Sequence, residues 1–227
     1  MLEAMISSPI FGVAISLLCF ELGVAIQNKV KSSLANPLLI SAVMIIVFLQ
    51  LSGISYEQYN SGARFISMFL APCTAVLSVN IYSNMDTLKK HFLPILLGTA
   101  SAAAASLACI YGMSRLFGLN DEILHSLLPK SVTAAISMPL ATMTGGVDSV
   151  LIVAASITGI LCAMISPMLV KLYRFKDPVA MGVAIGSSGH AIGTTTAIKM
   201  GPVQGAMSGI AIGMTGIITV LYYAVLF

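Results

Sequence analysis

One histidine and a run of hydroxyls lie inside otherwise hydrocarbon-like sequence at Asp177–Gly201, DPVAMGVAIGSSGHAIGTTTAIKMG. Ser187, His190 and Thr194 recur at spacings of 3 and 4, which on a helix places them on one face. Gly182, Gly186, Gly189 and Gly193 recur at 4, 3 and 4 and form a flat stripe beside that face. Ser188 and Thr195 add further hydroxyls around the imidazole. Polar groups at this depth in a bilayer are unfavourable unless they line a cavity or a partner helix. His190 can donate a hydrogen bond or carry a proton, because its charge changes near neutral pH. A hydrogen-bonding role between packed helices is the competing reading.

Lys130 is the second such residue, in LLPKSVTAAISMP, flanked by apolar sequence. An ammonium there needs a counter-charge or a wet cavity. It would anchor an anion, with Ser131 and Thr133 donating hydrogen bonds. Against this stands a lysine that snorkels to the headgroups. Thr74 and Asn80 follow Pro72 in the polar stretch 61–83 and would complete a midplane site with the 178–200 segment. Broken helices leave free N–H groups at the N-terminal ends of their halves, and these favour carboxylates. Glu21, in the first apolar run, reads as a snorkelling carboxylate or a proton site.

Enzymatic readings are weak. Gly186-Ser187-Ser188-Gly189 matches the G-x-S-G pattern of rhomboid-type intramembrane proteases, but such a short Gly/Ser string arises by chance. There is no H-E-x-x-H and no paired acidic motif. The expectation is a protein that is not an enzyme and holds no cofactor or metal. Cys19, Cys73, Cys109 and Cys162 are isolated and read as small hydrophobes in helices.

The elements that position these residues follow from composition. The chain has 227 residues, 58% hydrophobic and only 8% charged, and mean hydropathy is +0.99. Soluble domains carry about 25% charged residues, so this is an all-α polytopic membrane protein. Net charge is +3, too little to imply nucleic acid. The N-terminus lacks a basic stretch and a small-residue cleavage site, so the first helix is expected to be retained. Eight hydrophobic elements span 9–27, 36–53, 61–83, 91–118, 122–144, 147–173, 178–200 and 202–227. They are expected to form a single transmembrane domain of two related halves, 1–118 and 119–227, inverted with respect to one another, whose third elements are both polar and broken.

Charge argues for a re-entrant element. If all eight elements cross, Lys171, Arg174 and Lys176 fall opposite Lys29, Lys31, Lys89 and Lys90. Let 122–144 dip in and return, and all seven share one side, as the positive-inside rule requires. Pro129, Pro139 and Gly145-Gly146 break that element. The side of the C-terminus then depends on whether 178–200 crosses or returns. Gly201, Gly205, Gly209 and Gly213 recur every fourth residue and mark a close helix–helix face, within one chain or between the two copies of a homodimer.

Three stretches together resemble the CidB/LrgB family of bacterial membrane proteins: Leu127–Ile136 (LLPKSVTAAI), Lys171–Ala184 (KLYRFKDPVAMGVA) and Gly186–Gly201 (GSSGHAIGTTTAIKMG). Phe69–Tyr82 matches more loosely. Pairing P-K-S-V-T with S-x-H-A-I-G-T is the specific signal. The matching residues are Pro129, Lys130, Ser131, Thr133, His190, Gly193 and Thr194. The chain departs from the family pattern at Ala71, where glycine is common, at Asn80, where proline is common, and at Ser187-Ser188-Gly189, where Thr-Ala-Ser is common.

The resemblance implies two functions in a multi-pass protein of the bacterial plasma membrane. One is transport of a small monocarboxylate of the pyruvate, lactate or glycolate type, with a small CidA/LrgA-type membrane partner and a proton as the candidate coupling ion. A fused plant relative looks like a plastid glycolate/glycerate translocator. The other is holin/antiholin-like regulation of murein hydrolase release and autolysis. On the transport reading, Lys130 supplies charge, Ser131, Thr133, Ser188 and Thr194 donate hydrogen bonds, His190 binds substrate or carries a proton, and Thr74 and Asn80 complete the site.

Overall fold

The computed structural model describes residues 8–30, 35–69, 72, 75–76, 79, 82–83 and 85–227. Thr74 and Asn80 lie outside the described residues. The described residues form ten α-helices and one 3-10 turn. Four helices are long and apolar enough to cross a membrane: Pro9–Val30, Phe92–Leu116, Asp148–Leu172 and Pro202–Leu226. The chain divides into two compact units, 1–73 and 74–227.

The first unit holds α1 (Pro9–Val30), α2 (Pro37–Ser52) and α3 (Tyr56–Ser67). Asn36 caps α2, its Oδ1 accepting from Leu38 N at 2.9 Å, and Ser55 with Gln58 forms a capping box on α3. Gly12 of α1 meets Gly62 of α3 so closely that a Cβ on Gly62 would lie 2.9 Å from Gly12 N. Ser16 and Tyr59 join the same pair through their hydroxyls at 2.6 Å.

The second unit holds α4 (Met85–Lys90), α5 (Phe92–Leu116), α6 (Asp121–Leu127), the 3-10 turn Leu128–Ser131, α7 (Ala134–Met143), α8 (Asp148–Leu172), α9 (Pro178–Met200) and α10 (Pro202–Leu226). Helices α5 and α10 run parallel. Ile95 packs with Met207 and Ile210 near their starts, and Leu107 and Ile110 pack with Tyr223 near their ends.

Residues 121–146 form a hairpin that returns to its own base. Pro129 ends the descending arm in the 3-10 turn, and extended backbone at Val132 and Thr133 redirects the chain into α7. Gly145, at φ +81, closes the ascending arm. The Val147 N–H then donates to Ser126 Oγ at 2.6 Å, and Gly146 lies against the His125–Ser126 backbone. Twenty residues apart in sequence, the two arms meet at one level, as the charge argument requires. Ser126 is fully buried, so Ser126→Ala strands a backbone N–H. We expect it to lower stability by about 1–3 kcal/mol, read as an earlier thermal unfolding midpoint in detergent.

Segment 178–200 returns, one of the two courses that the sequence leaves open, and the single helical face expected of its spacing does not form. His190 takes φ +39 and ψ −138, and the chain reverses there. Positions about equally far from His190 on its two sides lie side by side. Gly193 sits against the Ile185 carbonyl, Thr194 and Gly186 both meet Ser208, and Ile198 and Gly182 flank Gln204–Gly205. In one straight helix, residues eight apart would be separated by about 12 Å. The expected glycine stripe is therefore divided. Gly182 and Gly186 pack on α10, Gly189 on Cys162 of α8, and Gly193 on the opposing arm. Ser187, His190 and Thr194 do not share a continuous face.

Both hairpins reach about equally deep. Each arm of α9 and helix α7 has 10 to 12 residues, or about 15–18 Å, half of a hydrocarbon core of about 30 Å. They enter from opposite ends of the unit. His91 and Asp177 border one cleft at one end. The Arg115–Asp121 ion pair, at 2.8 Å, and the His125–Phe227 ring contact mark the other. Lys89, Lys90, Lys171, Arg174, Lys176 and Lys199 belong to elements that begin or end at the first; Asp121, Glu122 and Asp148 belong to the second.

Candidate functional site

The two hairpin tips land on the same turn of α8. From the first tip, Lys130 Nζ donates to Thr158 Oγ1 at 3.2 Å, and that hydroxyl donates onward to the Ala154 carbonyl at 2.7 Å. From the second tip, the His190 ring covers Gly159, where a Cβ would lie 2.9 Å from its Cε1. Any side chain at 159 would displace the imidazole. Ser131 Oγ and Ser106 Oγ, the latter on α5, lie 2.6 Å apart and fix the first tip from the other flank.

Hydrogen bonding at this junction is incomplete. His190 is 6% exposed and its Nε2 has no partner. Thr133 Oγ1 is buried and also has none, although Thr133 is the N-cap of α7 and would ordinarily bond a backbone N–H of the first turn. Buried polar atoms are nearly always paired with protein or water, and leaving one unpaired is unfavourable by about 1–3 kcal/mol. Among the described residues, no carboxylate lies within ion-pair distance of Lys130. Two helix N-termini open here, that of α7 and that of the second arm of α9. Their free N–H groups and dipoles favour a negative charge. The junction thus combines an unpaired cation, two positive helix ends and two unused polar atoms.

Sequence reasoning singled out Lys130, Ser131, Thr133 and His190, and the structure brings these together. It places Thr194 and Ser188 differently. Thr194 Oγ1 donates to the His190 carbonyl at 2.9 Å and pairs with Ser208 Oγ at 2.7 Å, so it braces the reversal from behind. Ser188 is exposed and donates to Ala184 O at 2.8 Å. Ser187 donates to Val183 O at 2.7 Å. Both serines of the rhomboid-like string are thereby bonded to their own helix, not to His190. Thr158 and Ser106 were not picked out. Their signal was a single hydroxyl within an apolar span, a pattern shared with many packing residues.

A cleft of about 600 Å³ between α5 and the first arm of α9 runs from His91 and Asp177 to Ser188 and Ala105. Ala105 adjoins Ser106, so the cleft leads from the lysine-rich end toward the junction. Among the described residues no His, Cys, Asp or Glu cluster could hold a metal ion.

Comparison with known proteins covers nearly all of this architecture. The LrgB-like family model matches residues 16–227. The antiholin-like protein LrgB of Bacillus subtilis (strain 168) is 33% identical over 215 residues, which cover 94% of this chain and 93% of that protein. Those of Bacillus mycoides (strain KBAB4) and Bacillus cereus (strain B4264) are each 32% identical, with 94% of both chains covered. No solved structure matches the chain.

Proposed function

Since the chain belongs to the LrgB-like family, we propose that it carries a small monocarboxylate across the bacterial plasma membrane through the junction of its two hairpin tips. The observation that supports this most is Lys130. It is an ammonium without a carboxylate partner among the described residues, held at midspan beside two helix N-termini. A carboxylate there would gain the cation and free N–H groups together. The idle His190 Nε2 and Thr133 Oγ1 would serve a second oxygen on the substrate, as in pyruvate, lactate or glycolate.

Sidedness follows from charge. Six of the basic residues of the second unit belong at its lysine-rich end, which the positive-inside rule makes cytoplasmic. Because 178–200 returns, α10 starts on that side and the C-terminus lies outside. The cleft between α5 and α9 is then the cytoplasmic approach, and the hairpin 121–146 closes the outer side. Lys29 belongs to the other unit and Lys31 lies outside the described residues.

The names of the Bacillus relatives favour a second reading, an antiholin-like protein, for which the family resemblance implies regulation of murein hydrolase export. The two part on solute discrimination. Labelled pyruvate uptake into proteoliposomes, with and without a CidA/LrgA-type partner and a proton gradient, separates them. The carrier reading expects saturable uptake competed by other short monocarboxylates. Leakage of unrelated solutes at comparable rates would overturn it, as would absence of flux under every condition. His190→Gln keeps a hydrogen-bonding side chain but removes the titrating ring. If His190 carries the coupling proton, this variant retains exchange of substrate and loses acceleration by the gradient.

A further inference from the structure

A second cleft, of about 300 Å³, lies between α8 and the first arm of α9, and Ala180, Ala184 and Ser188 of that arm border both it and the approach cleft. Leu161, Ile165, Leu169 and Phe175 line it, and it ends at Cys162 and Ser188 beside the hairpin tip. Almost nothing polar borders it. From Leu172 at the mouth to Leu161 is eleven residues of α8, or about 16 Å, close to half of a hydrocarbon core of about 30 Å. The cleft thus has the length of one acyl chain in one leaflet.

Its mouth is cationic. Lys171, Arg174 and Lys176 are all exposed there and, among the described residues, none has an ion-pair partner. The nearby Asp177 carboxylate is engaged at the start of α9, accepting from Val179 N at 2.8 Å. Arg174 has φ +53, at a helix-ending position that ordinarily favours glycine. The Phe175 N–H donates to Val170 O at 3.1 Å across this turn, folding Phe175 back over the mouth. A guanidinium is thus kept where a side chain strains the backbone. Tyr173, exposed beside Phe175 with ring centroids 6.0 Å apart, suits the headgroup level.

We propose that this cleft binds an anionic glycerophospholipid, its phosphate at Lys171, Arg174 and Lys176 and one acyl chain along α8 as far as Cys162. The apolar lining alone would accept any lipid. The three unpaired cations at its end select a negative headgroup. The site is separate from the Lys130 junction and stands whether or not the protein is a carrier.

The chain contains no tryptophan, so one introduced residue reports alone. The experiment uses the full chain in vesicles carrying Ile165→Trp, with acyl-brominated phosphatidylglycerol or acyl-brominated phosphatidylcholine as quencher. The phosphatidylglycerol should quench at a several-fold lower mole fraction. Lys171→Gln, Arg174→Gln and Lys176→Gln together should erase that difference. Leu97→Trp, at similar depth on α5, should be quenched equally by both lipids. Leu169→Trp repeats the measurement if Ile165→Trp does not fold. Equal quenching in the cleft by the two lipids would overturn the proposal. So would protection from both, which would mean that protein covers the cleft.

Discussion

Lys130→Ala should remove saturable uptake and leave the fold intact. Truncating one partner of a desolvated, hydrogen-bonded charge pair weakens binding by about 2–5 kcal/mol, which is roughly 30- to 5000-fold in affinity. The fold should not suffer, because nothing is stranded by the change. Thr158 Oγ1 keeps the Ala154 carbonyl as its partner, and no carboxylate among the described residues loses a counter-charge. Lys130→Arg tests whether charge alone suffices. The guanidinium is bulkier and forked, so a partial return of uptake is expected. Measured uptake, together with the thermal midpoint and elution profile, separates binding from folding. Wild-type uptake by Lys130→Ala would remove the anchor role.

Gly186→Ala should have the largest effect on stability. The added Cβ would fall on the Ser208 carbonyl and 2.8 Å from Ser208 Cα, all of it backbone that no rotamer can move aside. Helices α9 and α10 would have to separate, opening the Thr194–Ser208 bond at 2.7 Å that braces the reversal. Overpacking of this kind is unfavourable by about 1–3 kcal/mol, to which loss of the buried hydroxyl pair adds. Gly112→Ala is the matched control. Nothing lies within 4 Å of its Cβ, so the higher helix propensity of alanine should leave stability unchanged or raise it by up to about 1 kcal/mol. Thermal midpoints of the two variants in detergent should move in opposite directions or differ clearly. A Gly186→Ala midpoint equal to that of Gly112→Ala would mean that the close packing is not needed.

Much of this arrangement was legible because bilayer physics leaves few options. Seven of the eight elements follow from apolar run lengths, whereas 61–83 overlaps α3 only at 61–67 and lies in part outside the described residues; the returning hairpin 121–146 follows from Lys171, Arg174 and Lys176 needing to share a side with Lys89 and Lys90. Lys130 and His190 were visible because a cation and an imidazole are conspicuous in hydrocarbon. That 178–200 could return was visible, but the place of the reversal, at His190, was not. A left-handed φ at one non-glycine residue leaves periodicity undisturbed, and glycines at 182, 186, 189 and 193 read equally well as one stripe or as two arms. The work of Thr194 was hidden for a related reason. Its partner Ser208 lies on the next helix and is opposite only because the chain turns back. Spacing placed Thr194 on the face of His190, whereas the fold puts it behind.

The reversal also bears on how the chain enters the membrane during synthesis. The 23 residues of 178–200 are long enough for a span of about 30 Å. No proline or charge lies between Pro178 and Lys199 to bar a straight crossing. Besides the contact of Gly193 with Ile185, the arms are held by Gly159 and Cys162 from α8, already made, and by Gln204, Gly205 and Ser208 from α10, not yet made. Until α10 has left the ribosome, the segment lacks half of the surface that folds it back. The returned form of this segment therefore rests on contacts with a helix that follows it in the chain.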